Sequence, residues 1–159
     1  MLMFHGTSHA SAKIIGKFGF QLRESSLSVD NRGRSSFINA VFMSPNREIA
    51  YIYESNSKST DSTGNPVIIE LELLSDNIFD LSVKDNQDKL WNYICEGGTV
   101  NSFLKENNYD GIRQIHYNDF GRKRYEYAII NLDIINILNI PKESTDYMSL
   151  YSEAMLEDQ

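Results

Sequence analysis

Between residues 67 and 73 the chain sets Val67, Ile69, Leu71 and Leu73 at alternate positions, the period of a strand with one buried face. Shorter apolar runs at residues 1–5, 40–43 and 78–81 predict short strands. Residues 109–115 and 125–131 read as two more, parted by a polar turn around 118–122, and residues 134–140 as the last. Helical spacing marks residues 9–18, with Ser8 as N-cap, Ala10, Ile14, Ile15 and Phe18 on the apolar side and Gly19 ending the helix. Ser44-Pro45 predicts a second helix start, a hydroxyl cap followed by proline where no N–H is needed, and that helix carries Ile49, Ala50 and Tyr53. Residues 85–95 predict a third, with Leu90, Trp91 and Ile94 turned inward. Gly97-Gly98 breaks the chain, and Thr99 caps a fourth helix running to about residue 106. Residues 21–39, polar and aperiodic, and residues 55–65 are expected to be loops, the first of a length that suits a lid, a binding loop or a disordered segment. Helices and strands are interspersed without βαβ alternation, and no internal repeat is visible. The expected class is α+β, with a mixed, mostly antiparallel β-sheet core and flanking helices. Residues 1–141 form one domain and residues 142–159 an acidic C-terminal tail.

Composition narrows the chemistry. A chain of 159 residues with 41% hydrophobic and 23% charged residues has enough material for a core without staples. The net charge of −7 disfavours loose binding to nucleic acid or anionic membrane, while leaving room for a local basic site. The single cysteine, Cys95, makes neither an internal disulfide nor a metal cluster, which fits a reducing cytoplasm. The first residues carry neither a basic segment nor a long apolar run, so no signal peptide and no membrane span are expected.

Three segments carry the candidate chemistry. Phe4-His5-Gly6-Thr7-Ser8 ends a strand before a helix. Its histidine is either a satisfied core residue or a ligand contact, and Gly6 would let a ligand approach the backbone. Ala40-Val41-Phe42-Met43-Ser44-Pro45 precedes a helix with Tyr51 and Tyr53, which either pack in the core or stack on a ligand. In Tyr125-Glu126-Tyr127-Ala128-Ile129-Ile130, alternation puts Glu126 on a face with Ala128 and Ile130, and Tyr125, Tyr127 and Ile129 on the other. Both faces are apolar, so Glu126 is either buried with a cationic partner such as Arg124 or Lys123, or turned into a cleft. An unpaired buried carboxylate costs several kcal/mol, a cost tolerated where chemistry uses it.

Together these segments resemble the ADP-ribosyltransferase superfamily, especially its poly(ADP-ribose)-polymerase-like and diphtheria-toxin-like branch with a His-Tyr-Glu arrangement. His5-Gly6-Thr7, continuing to Gly19-Phe20, is similar to the first motif of that branch. Residues 40–44 are similar to its second strand, with the helix bearing Ala50-Tyr51-Ile52-Tyr53 after it, and residues 125–130 to its Glu-bearing strand. Tyr109-Asp110-Gly111-Ile112 resembles a further recurrent segment. The resemblance implies a metal-free enzyme, a mono-ADP-ribosyltransferase that uses NAD+ as co-substrate and releases nicotinamide. Glu126 would bind the nicotinamide ribose, His5 the adenosine ribose and the Gly6 backbone the amide, with Thr7 and Ser44 near the pocket and Tyr53, or alternatively Tyr51, on the ring. The family's middle Tyr is matched by Phe42, which packs but has no hydroxyl. Arg124 stands where the arginine-specific branch has Glu, which points away from arginine acceptors. No Gly-x-Gly-x-x-Gly follows a strand, so a Rossmann site is not expected.

In this family the loop before the Glu strand commonly meets the acceptor. Here Arg122, Lys123 and Arg124 with nearby aromatics suit phosphates and bases, or a protein surface, or simply a solvated turn. Arg23, Arg32 and Arg34 are candidates for the pyrophosphate or for extending a nucleic-acid path. The resemblance implies a cytoplasmic bacterial or phage toxin or effector, with a protein or nucleic-acid acceptor and an antitoxin or inhibitor protein as a further partner. The competing readings are an NAD+ glycohydrolase, a non-catalytic binding module on the same scaffold, and a metal-free ribonuclease using His5, His9 or His116.

Overall fold

The computed structural model describes residues 1–55, 66–117 and 120–143, without the side chains of residues 52–55 and 116. The expected loop at 56–65, part of the turn at 118–119, the tail beyond 143 and the Tyr53 ring therefore lie outside the described residues. Along the chain run β1 (Leu2–Thr7), α1 (His9–Phe18), β2 (Arg23–Ser28), β3 (Ser35–Met43), α2 (Arg47–Ser55), β4 (Val67–Leu73), β5 (Ile78–Asp80), α3 (Lys84–Cys95), α4 (Val100–Glu106), β6 (Gly111–Tyr117), β7 (Lys123–Ile129) and β8 (Ile135–Asn139). The class is α+β, and the strands form two sheets. One has the order β1-β4-β8, and the other β2-β3-β7-β6-β5. Every pair is antiparallel except β5 with β6. Among the described residues no helix is long and apolar enough to cross a membrane.

The second sheet is apolar on both faces, and β3 and β7 show why. Val41, Met43, Tyr127 and Ile129 face the first sheet and α1, packing with Met3, Ile69 and Leu71. Phe42 and Ala128 face the other way, into a core shared with Leu90 of α3 and Phe103 and Leu104 of α4. Glu126 is on this second side, as alternation predicts, and is only 5% exposed. A smaller cluster of Phe4, Ala50, Tyr51 and Ile68 seats α2 on the first sheet.

Several local expectations are met at atomic detail. The Ser8 side chain accepts from the Ser11 N–H, and Gly19 ends α1 with φ 81°. Thr99 and Ser102 form a reciprocal capping box on α4. The Tyr109-Asp110-Gly111 segment is a structural staple. The Asp110 carbonyl accepts from the Ile130 and Asn131 N–H groups at 3.0 and 3.1 Å, and its carboxylate accepts from Ser75 and Asn131. At Gly111 a Cβ would stand 2.6 Å from the Ala128 carbonyl oxygen, so only glycine lets β6 come this close to β7.

Other expectations are corrected. Residues 21–39 are not a loop: β2 and β3 form a hairpin, paired from Arg23↔Ala40 to Ser28↔Ser35. Over the paired residues 23–40 its apolar alternation is thin, and the buried apolar side chains there are Leu27, Val29, Ile38 and Ala40. On α1 the buried residues are Ala12 and Ile15, whereas Ala10, Ile14 and Phe18 are exposed, because the helix turns one narrow stripe toward β4. Ser44 does not cap α2, which begins at Arg47, because Ser44 is drawn into a bridge with Phe4. The last strand begins only after a 3-10 turn, Leu132–Ile134.

Candidate functional site

The two sheets are joined where β1 passes the end of β3. The Phe4 N–H donates to the Ser44 carbonyl at 2.7 Å, and the Ser44 N–H donates back to the Phe4 carbonyl at 3.0 Å. The Ser44 hydroxyl donates to the Tyr125 carbonyl at 2.7 Å and accepts from the Asn46 N–H at 3.0 Å. Ser44 thus ties the residue before His5 to the residue before Glu126. Beside this seam lies an open cleft of about 210 Å³, counted to its mouth, lined by His5, Gly6, Phe42, Met43, Ser44, Ile49, Ala50 and Glu126.

His5 Nδ1 is 2.6 Å from the Phe42 carbonyl oxygen. A carbonyl can only accept, so Nδ1 carries the proton. Burial holds the ring below its ordinary 6.5, the hydrogen bond to Phe42 opposes this and the charge of Arg23 adds to it. The ring is therefore neutral near pH 7, and its Nε2 has a lone pair to offer. Phe20 packs edge-on against the imidazole with centroids 5.1 Å apart, which fixes its plane.

Glu126 is not in the salt bridge that its sequence neighbours suggest. Arg124 donates instead to Glu48 of α2 at 2.7 Å. The Glu126 carboxylate accepts from Gln114 Nε2 at 2.6 Å. Burial pushes its carboxyl up to about 7, and the Gln114 hydrogen bond restrains that rise. A carboxyl group near neutrality in a cleft is poised either to carry charge or to exchange a proton.

The structure thus brings His5, Gly6, Phe42, Ser44 and Glu126 to one cleft from three separate segments. Thr7 is buried at the end of β1 and Tyr51 in the cluster under α2, and neither lines the cleft. His9 opens α1 and is also outside the lining. In the expected acceptor loop, Arg122 lies over Phe120 with 5.2 Å to the ring centroid, and Lys123 over Tyr125 at 5.5 Å. Arg34 is engaged with Asp30 and Asp88 and stacks over Trp91, and the Arg32 N–H closes the hairpin turn onto Asp30. Of the three early arginines, Arg23 is the one whose charge reaches His5. Among the described residues no group of three or more His, Cys, Asp or Glu is placed to hold a metal ion.

Sequence reasoning missed Gln114. Its signal was present, since a hairpin centred on residue 120 pairs 114 with 126, as the observed register does. No protein-family model matches the chain, and no curated protein or solved structure matches it.

Proposed function

We propose that this cleft cleaves the N-glycosidic bond of NAD+ and that the chain, an ADP-ribosyltransferase-like fold, passes the ADP-ribose to a macromolecular acceptor as an intracellular toxin or effector. The observation that carries the reading is the convergence of His5, Gly6, Phe42, Ser44 and Glu126 on one small cleft.

As nicotinamide leaves, positive charge grows on the ribose, as in glycoside hydrolysis. The Glu126 carboxylate stabilises that charge, and does so strongly because its surroundings exclude water. Burial pushes the carboxyl up to about 7. The cationic pyridinium of NAD+ favours its charged form on arrival, so binding arms the group. The neutral His5 ring offers Nε2 as an acceptor for a ribose hydroxyl, with Nδ1 already committed to Phe42. Gly6 leaves its backbone approachable for the amide, and Phe42 supplies an apolar wall in place of a hydroxyl.

The test is labelled NAD+ incubated with the chain plus separate protein, RNA and DNA fractions. Release of nicotinamide with label in one fraction is expected. Glu126→Gln should lower that release by a factor of about 10² to 10³, the usual cost of one electrostatic group. An unchanged rate removes Glu126 from the chemistry.

A further inference from the structure

Gln114 stands directly opposite Glu126 in the β6–β7 register, so the two side chains leave the same face. Both ends of its amide are engaged. Oε1 accepts from the Ser28 N–H at 3.1 Å, and Nε2 donates to Glu126 Oε1 at 2.6 Å. An N–H only donates and a carboxylate only accepts, so these two partners permit a single orientation of the amide. The donor at Ser28 is itself anchored, because Leu27 before it and Val29 after it are core residues with 0% and 1% exposure.

We infer that Gln114 is a positioning residue: held by the Ser28 backbone, it keeps the Glu126 carboxylate charged and aimed into the cleft. This rests on the reading of Glu126 as the working group of the cleft. Other ionisable groups lie on β1, on β7 itself and at the turn of the β2–β3 hairpin. His5, on β1, lines the same cleft. Arg124, two residues back on β7, is paired with Glu48 of α2. At the hairpin end Asp30 is paired with Arg34. Gln114 is the group seen to donate to the carboxylate itself. A space-filling residue at this position would have no influence on the charge of its neighbour.

The test uses the full chain with ¹³C-labelled glutamate carboxyls. Gln114→Met keeps the length without the donor, and Gln114→Glu keeps the shape but sets two carboxylates together. In Gln114→Met the Glu126 titration midpoint is expected to rise by about one pH unit, the worth of a lost hydrogen bond to a charged group. In Gln114→Glu it should rise further, because two close carboxylates share a proton. The acid limb of nicotinamide release should move with it, so that the Met variant loses roughly fivefold at pH 7 and recovers above about pH 9. An unmoved midpoint in both variants, or a loss equal at every pH, overturns the role. If the Met variant does not fold, the near-isosteric Glu variant carries the test alone. A wild-type chain that releases no nicotinamide removes the enzymatic reading, and the carboxyl titration still decides whether Gln114 holds the charge.

Discussion

Glu126 shows how a residue's chemistry and its cost to the fold come from one fact, its burial. Its carboxyl is raised to about 7 in the folded chain against an ordinary 4.5. Between those values the native state holds a proton that the unfolded chain has released, so stability falls as pH rises through that window. Above it the penalty is fully present, on the order of 3 kcal/mol. His5 acts in the opposite sense. Its value lies below 6.5 when folded, so it removes stability as pH falls below that point. Glu126→Gln removes the first penalty and leaves the second untouched, and its amide oxygen can still accept from Gln114. The variant is expected to melt several degrees above wild type at pH 8, with the gap closing as pH approaches 4.5. Thermal unfolding followed across pH measures this, and coincident melting curves at pH 8 would mean that the carboxylate is not desolvated. A gain in stability with a loss of turnover is the pattern of a strained functional group.

At the scale of elements, legibility followed how many buried residues each element offers. Strand β4 was plain because four alternate apolar residues mark it, and α1 and α4 because Ser8 and Thr99 cap them. The β2–β3 hairpin was illegible because six residues of β2 bury one side chain, Leu27, and the rest are polar or charged. Pairing with β3 and cover from the core make it a strand, and neither appears in local periodicity. The start of α2 was misplaced for a related reason: Ser44 has a capping residue's chemistry but is recruited by a distant strand, Phe4. Of the site, His5, Gly6, Phe42, Ser44 and Glu126 were recognisable from their segments, whereas Gln114 required a cross-strand register. That register depends on Gly111. In Gly111→Ala the new Cβ meets the Ala128 carbonyl oxygen and the Ile129 backbone as well as the Ile129 side chain, so β6 and β7 must part. A loss of about 1–3 kcal/mol is expected from such overpacking. Urea unfolding tests it, and an unchanged midpoint would mean that the two strands separate without cost.

Across the whole molecule the cleft exists because two sheets meet at a two-bond seam, with the cationic segment at 122–124 leading into the strand that carries Glu126. The net charge of −7 means that this segment works against the overall field, so its reach is short and salt-sensitive. Its three cations do different jobs. Arg124 and Glu48 are only 15% and 14% exposed as side chains, and their pair ties α2 to β7 beside the site. Lys123 is exposed, and Arg122 partly so. Charge reversal at Arg122 and Lys123 is therefore expected to reduce labelling of the acceptor several-fold while nicotinamide release stays within about twofold, because the cleft itself is untouched. Reversal at Arg124 should instead lower both together, since it leaves Glu48 facing a second carboxylate in a poorly hydrated place. Nicotinamide release and label transfer measured side by side, at two salt concentrations, separate these outcomes. Equal losses in all three variants would mean that the segment supports the fold and leaves recognition to another surface.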